Sequence, residues 1–94
     1  MNEMDGQFSD QVALVTGSAT GNGRAIAIGL ATLGANVVVV DINKMEAEQT
    51  AKAIHDLGRR AIYIEADVSL QGDVNMMVQE ALRQFGTIDI LVNN

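Results

Sequence analysis

"VALVTGSATGNGRAIAIGLA", residues 12–31, runs from an unbroken apolar block through glycines at 17, 21 and 23 into alanine-rich, helix-forming sequence. A strand that breaks into glycines and re-forms as a helix is the first half of a βαβ unit, the building block of parallel sheets. Each glycine has its own task in such a turn. Gly17 lets the backbone leave the strand sharply, Gly21 removes a Cβ where a ligand's pyrophosphate would approach, and Gly23 lets the helix pack close to the sheet. The N–H groups of residues 22 to 25 then point toward an anion, helped by a partial positive charge at the helix start worth roughly 0.3–1 kcal/mol. A glycine cluster also serves as a plain tight turn, so the rest of the chain must decide.

The rest of the chain repeats the pattern. "QVALVT" (11–16), "NVVVV" (36–40), "AIYIEA" (61–66) and "IDILV" (88–92) are short β-branched runs bounded by turn residues. Three segments of helical length lie between them. The first, 22–33, carries Ile26, Leu30 and Leu33 on one face and stops at Gly34, a natural left-handed cap. The second starts at Asn43 with Glu46 three residues on, a capping-box arrangement, and aligns Ala47, Ala51, Ile54 and Leu57. The third follows Ser69 with Val74, Met77, Val78, Ala81, Leu82 and Phe85 at helical spacing. Strand and helix in strict alternation predict right-handed crossovers and an α/β parallel sheet in strand order 3-2-1-4. Residues 12–15 and 37–40 lack alternation, as strands covered on both faces should, whereas Tyr63 and Glu65 suit an edge. "ILV" at 90–92 also reads as a buried strand, and its far side is expected to offer an unpaired edge that favours homo-oligomers.

Composition narrows the function. Of 94 residues, 48% are apolar and 19% charged, and no apolar run is long enough for a membrane span, so the sequence reads as one soluble domain over 11–94 behind a polar tail, 1–10. A net charge of −6 with six scattered basic residues argues against nucleic acid as a partner. Without cysteine there are no disulfides or thiolate metal sites, and no secretory signal pattern is present, which makes the cytoplasm the expected compartment.

Asp41 makes the glycine turn specific. It lies 24 residues after Gly17 at the carboxyl end of the second strand, near the spacing of about 20 expected for an acid that accepts from the adenosine ribose hydroxyls. Its charge would repel a 2′-phosphate, so the sign selects NAD over NADP.

In these features the chain resembles the short-chain dehydrogenase/reductase family, over essentially its whole length and in the amino-terminal part of that family's domain. "TGSATGNG" (16–23) matches the family's T-G-x-x-x-G-x-G turn, Asp41 the NAD-type acid, "DV" (67–68) the adenine contact and "NN" (93–94) the start of N-N-A-G. The resemblance implies a Rossmann-like, doubly wound fold, here partial. It further implies that Gly17, Ser18, Thr20, Gly21, Asn22, Gly23, Asp41, Asp67, Val68 and Asn94 contact NAD, with Thr16 and Asn93 supporting the strand ends. Asn22 stands where the family often has isoleucine. The implied reaction moves a hydride between NAD(H) and a small alcohol or ketone.

The family's Ser, Tyr-x-x-x-Lys and helix Asn have no match in these residues, so no catalytic residue is assigned and the 94-residue chain alone is expected to be inactive. The single tyrosine, Tyr63, has Asp67 rather than lysine four residues on and reads as structural. His55 reads as a solvated helix residue and Met76 and Met77 as packing, and no metal site is expected. Two other readings use the same glycines. An S-adenosylmethionine methyltransferase usually has an acid just before them, where Val15 and Thr16 stand; a non-catalytic nucleotide-binding module would use the sheet edge for a partner.

Overall fold

A computed structural model describes residues 7–94; of the expected tail 1–10, residues 1–6 lie outside the described residues. Residues 7–10 form a turn that the sequence reading left as tail. Phe8 donates its N–H to Leu33 O at 2.9 Å and packs on the core.

Seven elements alternate: β1 (Val12–Thr16), α1 (Gly21–Thr32), β2 (Asn36–Asp41), α2 (Lys44–Asp56), β3 (Ala61–Glu65), α3 (Gln71–Phe85) and β4 (Ile90–Val92). All strand pairs are parallel and their order is β3-β2-β1-β4, as the alternation required. In register, Leu14 sits between Val38 of β2 and Leu91 of β4.

The continuous apolar runs of β1 and β2 are explained by two cores. Ala13, Val15, Val37 and Val39 point to one face, under α1 and α2, with Ala27, Ala31, Ala47, Ala51 and Ile54. Val12, Leu14, Val38 and Val40 point to the other, under α3, with Met77 and Ala81. Residues of period two thus feed both cores, and each fully buried Val or Leu contributes roughly 1.5–3 kcal/mol.

The helices depart from their apolar stripes in an instructive way. α1 buries Gly23, Ala27 and Ala31, not the expected Ile26, which is 37% exposed, while Leu30 and Leu33 are only partly buried. A row of small residues at i, i+4 and i+8 lets the helix backbone approach the sheet, and the larger apolar groups flank the contact. α2 buries Ala47, Thr50, Ala51 and Ile54 but leaves Leu57, beyond its last turn, exposed. Half of its capping box forms: Asn43 Oδ1 accepts from Glu46 N at 3.2 Å, while the N–H of Asn43 goes to Asp41 instead. α3 buries Met77 and Ala81, with Val74, Val78 and Phe85 packed beside them; Leu82 and Met76 face outward.

β4 is less buried than its sequence suggests. Leu91 is 65% exposed: it shares the face of Leu14, but α3 packs there on residues of β1, β2 and β3 and does not reach over β4. What holds it is Asp89, whose N–H donates to Val12 O at 2.8 Å and whose Oδ2 accepts from Val12 N at 2.9 Å. A hydrogen bond to a charged group contributes roughly 1.5–3 kcal/mol, less at a partly exposed site. Asp89→Ala is therefore expected to cost about 1 kcal/mol, a drop of roughly 4–8 °C in Tm, with Asp89→Asn retaining most of the parent stability. Equal melting of Asp89→Ala and parent would remove this clamp from the account.

Candidate functional site

The turn between β1 and α1 is sewn to β2. Ser18 donates its N–H to Val40 O at 3.2 Å, its Oγ donates to Val15 O at 2.6 Å, and Val40 N donates back to that Oγ at 3.0 Å. The Ser18 side chain is fully buried, so its hydroxyl faces into the fold and serves the turn. A turn fixed in this way holds its backbone ready for a ligand without ordering cost on binding.

Beyond Ser18 the chain reaches Gly21 with φ +59°, and a Cβ there would have no heavy atom within 4 Å. Gly23 is the opposite case: a Cβ would lie 1.9 Å from Gly17 O and 2.8 Å from Asn94 Nδ2. The closeness expected between helix and sheet at Gly23 is in fact contact with the turn's own first carbonyl. Thr20, the N-cap, makes no side-chain cap, and it and Asn22 are exposed. Arg24 N donates to Thr20 O at 3.3 Å, so the helix takes up its N–H groups from residue 24 onward. The unpaired donors are therefore those of Gly21, Asn22 and Gly23 rather than residues 22 to 25.

Asp41 ends β2 beside this turn. Its Oδ2 accepts from Ala19 N and its Oδ1 from Asn43 N, each at 3.0 Å. Each carboxylate oxygen keeps a second lone pair for another donor. Two residues absent from the sequence reading complete the support. Thr50 Oγ1, fully buried on α2, donates to Ala19 O at 3.1 Å and accepts from Arg24 Nη1 at 2.8 Å. The available signal was a hydroxyl set in the apolar stripe Ala47, Ala51, Ile54, since a polar group at a core position needs a partner.

Across the sheet's carboxyl edge, Asp67 closes a turn of its own. Its N–H donates to Asp73 Oδ2 at 2.8 Å, and its Oδ1 accepts from Ser69 N at 2.9 Å and Ser69 Oγ at 2.6 Å. The Ser69 hydroxyl, and then its N–H, hold the Asp67 carboxyl below its usual pKa. Because the folded value is depressed, whatever this contact contributes is present above the ordinary aspartate range and fades as the pH falls through the lowered value. Val68 is 47% exposed beside it. Asn94 donates its backbone N–H to Thr16 Oγ1 at 3.2 Å and its Nδ2 to Gly17 O at 3.3 Å, so its free backbone group is the carbonyl. Thr16 Oγ1 lies 3.4 Å from Val92 O and from Asn93 Oδ1, which ties the ends of β1 and β4.

Gly17, Asp41, Asp67, Val68 and Asn94, from four separate segments, line one cavity of about 120 Å³, joined by Ile42, which the sequence reading did not single out. A second hollow of about 280 Å³ continues from it past Ile42, Asp67 and Asp73. Thr20, Gly21 and Asn22 lie outside this cavity, at the start of α1. An elongated ligand with an anionic middle and an apolar, hydroxyl-bearing end fits this layout: open space over Gly21, unpaired donors at the helix start, and an acid beside an apolar wall. Among the described residues no helix is long and apolar enough to cross a membrane.

Known proteins match this arrangement. The family model for short chain dehydrogenases matches residues 11–94. The chain is 45% identical over 86 residues to the short-chain dehydrogenase/reductase homolog YusS of Bacillus subtilis, covering 90% of this chain and 79% of that protein. It is 40% identical over 87 residues to cis-4-hydroxycyclohexanecarboxylate dehydrogenase of Sinomonas cyclohexanicum, covering 93% of this chain and 34% of that one. A crystal structure of a hydroxysteroid dehydrogenase from Escherichia coli superposes with a TM-score of 0.92 at 35% identity, over 99% of this chain and 40% of the other. YusS aside, the chain spans about a third of the length of these curated relatives. A methyltransferase reading of the glycine turn finds no support in these matches. By fold, motif and sequence, the chain belongs to the short-chain dehydrogenase/reductase family.

Proposed function

We propose that this chain holds NAD(H) for an oxidoreductase of the family, one that moves a hydride between the nicotinamide and a small alcohol or ketone. The observation that carries the reading is the placement of Asp41. Its carboxylate ends β2, is aimed by the Ala19 N–H of the glycine turn, and faces the same cavity as Gly17 and Asn94. A pyrophosphate over Gly21 would meet the N–H groups of Gly21, Asn22 and Gly23, and the adenosine ribose would then lie toward Asp41, with adenine against Ile42 and Val68. When bound, the cofactor supplies the hydride; these residues bind and orient it. Asp41 chooses between its two forms. A ribose diol can donate to the carboxylate, whereas a 2′-phosphate about 4 Å away would be repelled by about 4 kcal/mol at an effective dielectric near 20.

The same reading places the protein in the cytoplasm. It also expects self-association wherever the outer edge of β4, with Leu91 exposed, stays unpaired.

Binding of NADH and NADPH to parent and Asp41→Ala, followed by calorimetry, tests the choice. The parent is expected to prefer NADH by at least about tenfold, a difference of about 1.4 kcal/mol, and the variant to bring the two within about threefold. A ratio that does not move would assign Asp41 to the turn alone.

A further inference from the structure

The backbone of Ala19 is held on both sides of its Cα, through two successive peptide groups. Its N–H donates to Asp41 Oδ2 at 3.0 Å and its carbonyl accepts from Thr50 Oγ1 at 3.1 Å, while that hydroxyl accepts from Arg24 Nη1 at 2.8 Å. The direction of the chain is fixed by chemistry. A guanidinium can only donate, an ionised carboxylate can only accept, and a threonine hydroxyl has one proton to give. Arg24 therefore donates to Thr50 and Thr50 to the Ala19 carbonyl, and on the other side of the Ala19 Cα the N–H donates to Asp41. The Arg24 cation polarises the Thr50 hydroxyl and strengthens its bond to the Ala19 carbonyl, which fixes the backbone from which the Ala19 N–H meets Asp41. Thr50 and the Ala19 side chain are buried, so water does not compete at the middle links.

We propose that Thr50 and Arg24 are positioning residues for cofactor choice: by fixing the backbone of Ala19, whose N–H meets the carboxylate, they set the aim of Asp41 and so part of the discrimination between a ribose diol and a 2′-phosphate. The proposal rests on the assignment of Asp41 to the ribose. It predicts more than a staple between α2 and the turn would. A staple, once lost, loosens the turn for both cofactors alike. A lost positioning chain costs the contact that only the diol makes.

The test compares Thr50→Val, nearly isosteric but without the hydroxyl, with Thr50→Ser, which keeps it, using Kd for NADH and NADPH and Tm for each protein. Thr50→Val is expected to weaken NADH about tenfold and NADPH less than about threefold, narrowing the ratio, while Thr50→Ser keeps the parent ratio. Should Thr50→Val fail to fold, Arg24→Lys serves: it keeps the charge near the surface but loses the planar fork, and is expected to narrow the ratio about threefold. Equal weakening of both cofactors, or a ratio unchanged in the variants, overturns the proposal. A parent that shows no preference would instead overturn the assignment of Asp41, which separates the two failures.

Discussion

Gly23→Ala is expected to lower Tm by roughly 12–24 °C, the effect of about 3 kcal/mol in a domain of this size. The cause is a single methyl with nowhere to go. Its Cβ would lie 1.9 Å from the Gly17 carbonyl oxygen and 2.7 Å from the carbonyl carbon, both backbone atoms, so no side-chain rotation can relieve the clash. Either α1 moves away from the turn or the turn moves away from β1. The first course opens the contact of Ala27 and Ala31 with the sheet, and the second breaks the Ser18 bonds to β2. Gly29 provides the control within the same helix. A Cβ there meets nothing within 4 Å, so Gly29→Ala should raise stability by roughly 0.5–1 kcal/mol through helix propensity. Thermal melts of the two variants should thus move in opposite directions. A Gly23→Ala protein that melts within a few degrees of the parent would show that the turn and helix are not in rigid contact.

That result would also bear on what could be read in advance. The order of elements was legible because alternation of strand and helix periods is a property of the chain itself, and parallel order 3-2-1-4 follows from right-handed crossovers. Asp41 was legible for a similar reason: a strand end and a fixed spacing from Gly17 put it at the carboxyl edge without knowledge of any contact. The inward face of α1 was not. Ile26 has the larger apolar side chain, yet close approach to the sheet favours Gly23, Ala27 and Ala31, and that preference belongs to the partner surface rather than to the helix. Burial of Leu91 was over-read in the same way. A β-branched and leucine run looks alike whether or not something lies over it, and cover is supplied by other elements.

The site shows the same boundary. Gly17, Asp41, Asp67, Val68 and Asn94 were marked by motif and do share a cavity. What motif could not tell is which atom of each residue is free. Ser18 gives its hydroxyl to the turn, Asp67 gives one oxygen to Ser69, and Asn94 gives its N–H to Thr16, because buried or turn-closing polar groups are paired before any ligand arrives. Arg24 and Thr50 escaped notice since their partnership spans 26 residues and depends on how α1 packs against α2.

Gly21→Val should abolish dinucleotide binding, with Kd for NADH rising at least about 100-fold, while the fold survives at a measurable cost. Two separate effects are combined in this variant, and the structure tells them apart. The backbone at Gly21 has φ +59°, a left-handed conformation that costs a branched L-residue roughly 1–2 kcal/mol. That strain is present in the folded protein with or without a ligand, so it lowers Tm and leaves Kd nearly untouched. The added Cβ meets no protein atom within 4 Å beyond its own turn of the chain, so the side chain starts into open space. Its volume counts only if something else must occupy that space. A fall in Tm therefore reports the turn conformation, and a rise in Kd reports a phosphate over Gly21. Gly21→Asn divides the terms further, because asparagine tolerates left-handed φ and should recover part of the stability while still filling the cradle. If Gly21→Val melts lower but binds NADH as tightly as the parent, the glycine is there for the turn alone, and the pyrophosphate must sit elsewhere.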